Sequence, residues 1–328
     1  MAESFIIVQN LGQLKDFGIS RVSAAIGVFD GVHLGHQRVL KELVGLAAES
    51  GSVPVVITFY PHPRSVLTPE KAPPLLFPQR EKANLIRRYG AKALVRIPFT
   101  KEFASLSPDA FLDQCLHFSG VELKGLCVGS NWRFGCRAAG TREDLQRRAR
   151  RNAFLFRPVD EVMFQRRIVS STAIRGALAE GLLDLASGML GRRYRLFGTV
   201  VHGLGLAGKV LDAATANLQL EAGVLPPYGV YAALAGVENA EDGPEEMRPA
   251  IVSIGVAPTI RKEEHPLPKV EVHLLEKTES LYGKTLSVEL VTRVRGEMKF
   301  DSVEALKTQI HADIAVAAEL LKGVQEHG

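Results

Sequence analysis

The chain has 328 residues, 46% hydrophobic and 23% charged, enough to bury two cores of ordinary domain size. Forty Lys and Arg against 36 Asp and Glu leave a formal charge of +4, an excess that suits an anionic substrate and does not demand nucleic acid. The start MAESFIIVQNLGQLKDFG has no basic segment leading into an apolar stretch, and nowhere is there a run of about 18 apolar residues, so the cytoplasm is the default expectation.

Residues 24–29 (AAIGVF) read as a buried strand. A helix over 36–50 follows, with Val39, Leu40, Leu43, Val44 and Ala47 on one face and Gly51 ending it. VPVVITF at 53–59 is the next strand, then a helix over about 78–89 and the strand ALVRIPF. Ser107-Pro108 reads as an N-cap with proline at the first helical position. GLCVG, a helix opened by Thr141, the strand FLFRP and a helix beginning near Ser171 complete an alternation that predicts a parallel α/β sheet. Cys115, Cys127 and Cys136 match neither a disulfide framework nor a zinc knuckle and are expected to be reduced thiols.

After about residue 188 the pattern changes to YRLFGTVVHG, TANLQLEA, YGVYAALAGV, AIVSIGV, VEVHLLE and TLSVELVTRV, short alternating segments that predict an antiparallel β-barrel. Residues 238–247 and 261–268 are polar and proline-containing, and read as solvated loops. A terminal helix over 302–322 is expected to pack Val303, Leu306, Ile310, Ile314, Ala317, Leu320 and Leu321 on the barrel. The domains implied are 1–187 and 188–328.

Between the first strand and its helix stands Gly27-Val28-Phe29-Asp30-Gly31-Val32-His33-Leu34-Gly35-His36. A glycine-bearing turn at a helix N-terminus offers free N–H groups and a favourable dipole to phosphate. Two imidazoles three residues apart add donors for charge growing on phosphate oxygens. Ser171 and Thr172, with Arg175 one turn on, form a second anion clamp pattern.

GxFDGxHxGH closely resembles the signature of the HxGH nucleotidylyltransferases, in the form seen in the FMN adenylyltransferase half of bacterial bifunctional riboflavin kinase/FAD synthetases. The resemblance continues through Thr58-Phe59-Tyr60-Pro61-His62-Pro63, Gly129-Ser130-Asn131-Trp132-Arg133-Phe134-Gly135 and Ser170-Ser171-Thr172-Ala173-Ile174-Arg175. It implies that His33, His36, Ser171, Thr172 and Arg175 hold ATP together with Gly27, Phe29, Asp30, Gly31 and Gly35, with His33, His36 and Arg175 catalytic. Pro61, His62, Pro63, Asn131, Arg133 and Phe134 would border the flavin. Asn131 and Trp132 occupy positions where an acidic residue and Phe are frequent.

Residues 202–210, HGLGLAGKV, satisfy both GxGxxG and G-x4-G-K. Val210 stands where a P-loop needs Ser or Thr, and the flanks read as antiparallel strands, so neither dinucleotide fold nor P-loop fits. The glycine run instead resembles the riboflavin kinase half of the same family, as do Thr215-Ala216-Asn217, Gly229-Val230-Tyr231, Pro258-Thr259, Glu271-Val272-His273, Tyr282-Gly283-Lys284 and Arg295. That likeness implies ATP at Gly203, Gly205, Gly208, Thr215 and Asn217, magnesium at Thr215 and Asn217, Glu271 as the base and Arg295 on the flavin. Read as residues alone, Thr215 and Asn217 also suit a polar turn, and Glu271 sits in a V-E-V-H alternation where an outward carboxylate is ordinary. Asp212-Ala213-Ala214 replaces the usual Gly-Phe-Pro.

The resemblance implies ATP, riboflavin and FMN as small-molecule substrates, Mg2+ with the ATP, no nucleic acid or membrane partner, and a monomer or weak homo-oligomer. Two alternatives are an adenylyltransferase whose barrel only binds flavin or regulates, and a nucleic-acid binder using the arginines of 147–151.

Overall fold

The structure, a computed structural model, describes residues 5–117, 120–202, 215–239, 243–244, 246–256, 268–276 and 281–324. It divides into two compact units, 1–73 with 79–170, and 74–78 with 171–328.

The first unit is built on six parallel strands, β1 (Ile6–Val8), β2 (Arg21–Ile26), β3 (Val53–Tyr60), β4 (Ala93–Pro98), β5 (Glu122–Gly129) and β6 (Leu155–Val159), in the order β1-β4-β3-β2-β5-β6. The connections supply α1 (Leu34–Ser50), α2 (Pro63–Leu67), α3 (Gln79–Arg88), α4 (Lys101–Ala104), α5 (Pro108–Leu116) and α6 (Arg142–Asn152). From β2 the chain winds outward through β3 and β4, then returns to the other side of β2 with β5 and β6. The order therefore reverses between β2 and β5, the place where open parallel sheets leave a crevice beyond the carboxyl ends of their strands.

Continuous apolar runs make these strands, because helices cover both faces of a parallel sheet. Val22, Ala24, Val55, Ile57, Ala93, Val95 and Leu126 are all fully buried. α1 turns Val39, Leu40, Leu43, Leu46 and Ala47 inward, while Val44, expected on that face, is 36% exposed. Leu46, at the other margin of the face, is buried against Gly125 of β5, where a Cβ would come within 2.6 Å of its Cδ2. Ser107 caps α5 through Ala110 N at 3.3 Å with Pro108 at the first helical position, and Thr141 caps α6, as the sequence predicts. A two-stranded hairpin, β7 (Met163–Phe164) with β8 (Arg167–Ile168), ends the unit.

The second unit opens with α7 (Ser171–Ala179) and α8 (Leu183–Leu190). Its strands are β9 (Arg195–Val201), β10 (Thr215–Ala222), β11 (Gly229–Asn239), β12 (Gly243–Pro244), β13 (Arg248–Val256), β14 (Pro268–Leu274) and β15 (Thr285–Gly296). The antiparallel order β11-β13-β14-β10-β9-β15 closes when β15 pairs back to β11, which is the predicted barrel. Inward residues alternate along each strand, with Ala216, Val252, Ile254, Val270 and Val272 buried. Residues 74–78 belong to this unit and pack Phe77 against Tyr194 and Phe197.

Two expectations are corrected here. The expected loop at 238–247 carries the end of β11 and the paired β12, with Glu238 opposite Pro244. The terminal helix α9 (Val303–Leu321) forms as predicted, but Val303 and Leu320 are exposed, and the buried seam is Asp313, Ala317 and Leu321. A charged residue occupies that seam because Arg295 of β15 meets it: Nε lies 2.9 and 3.0 Å from the Asp313 carboxylate oxygens and Nη2 2.8 Å from Oδ2.

Candidate active sites

The turn after β2 is strained and pinned. Phe29, Gly31 and Val32 have φ of 54°, 81° and 38°. Left-handed backbone costs roughly 1–3 kcal/mol at each non-glycine residue, most conspicuously at a β-branched one. The surroundings hold it there. Gly27 N donates to Ile57 O at 3.1 Å, Val32 N to Phe29 O at 3.3 Å and Gln37 Nε2 to Val32 O at 2.9 Å. Thr58 Oγ1 donates to Val28 O at 3.0 Å. Phe29, Asp30 and Val32 are buried.

The turn delivers His33 as the N-cap of α1, its Nδ1 accepting from His36 N at 3.4 Å. The two imidazoles stack with centroids 3.7 Å apart, and Phe29 lies 5.1 Å from the His36 ring. Gly35 leaves room for this packing, since a Cβ there would sit 3.2 Å from His33 Nδ1 and Cε1 and press the imidazole aside. Two imidazoles and the first N–H groups of a helix thus stand together, an arrangement suited to phosphate.

The other first-unit motifs leave the strands on either side of β2. β3 ends at Tyr60, the Tyr60–Pro61 bond is cis, and His62 caps α2 through Arg64 N at 3.1 Å with Pro63 at its first position. β5 ends at Gly129, beyond which Asn131 Nδ2 donates to Glu161 Oε1 at 2.7 Å. Phe134 is buried, packed at 5.0 Å against the partly buried Trp132 and at 5.7 Å against Phe111, while Arg133 is exposed. The sheet thereby gathers the Gly27–His36, Thr58–Pro63 and Gly129–Gly135 segments along one edge, from three adjacent strands. Ser171 and Thr172 open α7 in the second unit, where Arg175 Nε donates to Pro74 O at 2.7 Å.

Lys82 escaped the sequence reading. It is 5% exposed on α3, with Nζ 3.3 Å from Val28 O and 3.4 Å from Thr58 Oγ1. Burial lowers its pKa from the ordinary 10.5 to about 8, with Asp30 raising it and Arg96 lowering it further. One lysine in a charged helix (QREKANLIRR) gives no sequence signal of burial. Glu161 was missed likewise, as a polar residue in a connecting segment. The cysteines are free thiols, and burial raises the pKa of Cys115 and takes that of Cys127 up to about 12, so neither is a thiolate nucleophile.

In the barrel, Asn217 of β10 is directly opposite Glu271 of β14, which is also opposite Ser253 of β13. The strand alternation that turns Ala216, Val270 and Val272 inward puts Asn217, Glu271 and Ser253 on the outer face. Asn217 is 9% exposed, and its Oδ1 has no hydrogen-bond partner among the described residues. A buried amide oxygen left without a donor fits a hard cation such as Mg2+, which takes one or two protein oxygens and completes its shell with phosphate and water. Among the described residues no group of three His, Cys, Asp or Glu is placed to hold a metal. Glu271 pairs with Lys269 Nζ at 2.6 Å. Thr215 stands opposite His273, its side chain outside the described residues, as are Gly203, Gly205, Gly208 and Asp212-Ala213-Ala214. Arg295 directs Nε and Nη2 to Asp313 and Nη1 to Gly296 O at 2.8 Å, tying α9 to the barrel.

The sequence pattern of FAD synthetase matches residues 19–173, and that of riboflavin kinase matches 190–321. A bifunctional riboflavin kinase/FMN adenylyltransferase from Pseudomonas fluorescens is 37% identical over 297 residues, covering 90% of this chain and 92% of that protein. The chain belongs to the bifunctional riboflavin kinase/FMN adenylyltransferase family. Family members of the same name from Bacillus subtilis (35% identical, 88% of this chain and 89% of the relative) and Escherichia coli K12 (34%, 95% and 96%) agree. A crystal structure described as a macrolide-efflux protein from Streptococcus pneumoniae has a TM-score of 0.79 at 27% identity, covering 95% of this chain and 98% of its own. Among the described residues of this family member, no helix is long and apolar enough to cross a membrane.

Proposed function

We propose that the chain makes flavin cofactors in two steps: ATP-dependent phosphorylation of riboflavin to FMN in the barrel, and adenylylation of FMN to FAD with release of pyrophosphate in the N-terminal unit. The observation that carries this reading is the convergence of the three motif segments on the carboxyl ends of β3, β2 and β5, where the strand order reverses.

In adenylyl transfer an FMN phosphate oxygen attacks the α-phosphorus of ATP and the bond to pyrophosphate breaks. Alignment and neutralisation of charge matter more than proton transfer. His33 and His36 donate to the phosphate oxygens as charge grows on them, and the α1 N-terminus adds its dipole. Gly27, Phe29, Asp30 and Gly31 shape the turn around the nucleotide, and Gly35 leaves room for the imidazoles. Pro61, His62, Pro63 and Asn131 with Arg133 border the flavin. Phe134 acts there from behind Trp132, as a buried support. For Ser171, Thr172 and Arg175 the support is the order of the sequence motif, and their substitution tests it.

In the kinase step Glu271 takes the proton from the terminal ribityl hydroxyl as that oxygen attacks the γ-phosphorus of ATP and ADP leaves. The pairing of Asn217 with Glu271 across two strands supports the reading, because it sets a cation ligand beside the base. Asn217, with Thr215, would hold the Mg2+ that neutralises the phosphates. The Arg295–Asp313 bonds favour a role for Arg295 in seating α9, and the glycines of 203–208 are assigned to ATP by sequence alone. With ATP and flavins as its partners, the enzyme works in the cytoplasm on small molecules. The basic run at 147–151 offers nucleic acid little, since Arg148 turns inward to Asp113 and Asp109 and Arg147 pairs with Asp144.

The experiment is chromatographic separation of flavins after flavin-free protein is incubated with Mg-ATP and either riboflavin or FMN. Riboflavin converted to FMN and then FAD supports both steps. FAD from FMN with riboflavin untouched leaves an adenylyltransferase whose barrel only binds or regulates, and the absence of both products overturns the reading.

A further inference from the structure

The turn that delivers His33 and His36 is held by bonds at both ends, and one of its anchors is a charge inside the protein. Lys82 Nζ reaches Val28 O at 3.3 Å, an oxygen that also accepts from Thr58 Oγ1, and Thr58 Oγ1 itself at 3.4 Å. Val28 immediately precedes Phe29, the first left-handed residue of the turn. Two charged groups act on the ammonium: Asp30 from the turn, which favours its charged form, and Arg96 from β4, which opposes it.

A lysine is among the residues least often fully buried, and burying an ammonium is unfavourable unless a partner is gained. Apolar side chains would fill this place on α3 with less desolvation, so the charge is retained against stability. Its location explains why. The ammonium lies beneath the segment whose N–H groups and imidazoles face the nucleotide, where it both fixes the carbonyl end of the turn and adds positive potential next to developing negative charge.

We propose that Lys82 is a positioning residue for adenylyl transfer: its ammonium, pinned to Val28 and Thr58 and attracted by Asp30, holds the strained turn in the conformation that presents His33 and His36 to phosphate. The proposal rests on the adenylyltransferase reading. The neutral amine keeps the bonds only weakly and loses the attraction to Asp30, so the turn loosens as Lys82 deprotonates.

The test is the pH dependence of kcat/KM for FAD formation from FMN and Mg-ATP across about pH 6.5 to 9.5 in wild type, Lys82→Met and Lys82→Gln. Wild type is expected to lose rate above about pH 8, Lys82→Met to be at least about 10-fold slower below that pH with no such loss, and Lys82→Gln, which keeps N–H donors without charge, to fall between them with a flat profile. A structural deletion alone would lower the rate without removing the alkaline limb. A thermal melt and far-UV circular dichroism of the same preparations report folded protein. Wild-type rate and limb in either variant overturn the proposal, and so does a wild-type profile flat through about pH 9.5. If Lys82→Met cannot be obtained folded, Lys82→Gln and the wild-type profile decide. Wild type that makes no FAD at any pH instead overturns the adenylyltransferase reading itself.

Discussion

Replacing Gly35 by Ala should separate stability from activity. The new Cβ would sit 3.2 Å from both Nδ1 and Cε1 of His33, with Val169 O at 3.8 Å on another side. Contact at that distance requires His33 to withdraw by a few tenths of an ångström. Its Nδ1 is already 3.4 Å from His36 N, so withdrawal takes the cap beyond about 3.5 Å and removes about 1 kcal/mol of helix stabilisation. Alanine in place of glycine within α1 returns up to about 1 kcal/mol. The melting temperature should therefore hardly move. The imidazole pair, stacked at 3.7 Å, is displaced where alignment governs the rate, and kcat/KM for FAD formation should fall about 10- to 100-fold. The assay is FAD production from FMN and Mg-ATP by chromatography beside a thermal melt. A wild-type rate would refute the claim that His33 must stand where Gly35 leaves it.

Other predictions concern each half. His36→Ala should abolish FAD formation while leaving riboflavin phosphorylation, and Glu271→Gln should do the reverse; both are read from the same flavin chromatogram. Asp313→Ala leaves Arg295 without its carboxylate, with 4% of the Asp313 side chain exposed against 19% for Arg295. The cost should be about 2–4 kcal/mol, below the full range for a buried pair because Arg295 keeps some hydration, and is measured by urea unfolding with kinase activity as the probe. Lys82 has a pKa near 8 when folded against 10.5 when exposed, so the folded form binds fewer protons between those values. Its contribution to stability is fully present above 10.5 and lost as pH falls through about 8, about 3 kcal/mol in all. Against wild type, Lys82→Met should show a smaller rise in unfolding free energy over that interval.

The alternation of strand and helix, the change to short strands near residue 188 and the motif blocks could all be read locally, because each rests on a period or a turn of a few residues. α5 and α6 begin directly after Ser107 and Thr141, since caps act within four residues, while α1 begins at Leu34, two residues before its expected start. The errors arose where distant residues intervene. Val44 reads as part of the apolar face, yet the buried face of α1 is centred away from it and takes in Leu46, which packs on Gly125 of the distant strand β5. Val303 and Leu320 fit the helical repeat of α9, but Arg295, on a strand, drew Asp313 into the seam.

The sequence by itself determined the two fold classes and the family, because periodicity, glycine-bearing turns and motif order are written in consecutive residues. Only the tertiary structure decided which motifs are neighbours. Strand order brings the turns after β2, β3 and β5 to one edge, barrel register sets Asn217 beside Glu271, and packing carries Lys82 beneath Val28. A lysine reads as solvated in any local window; its burial is a property of what folds over it, and no local pattern encodes that.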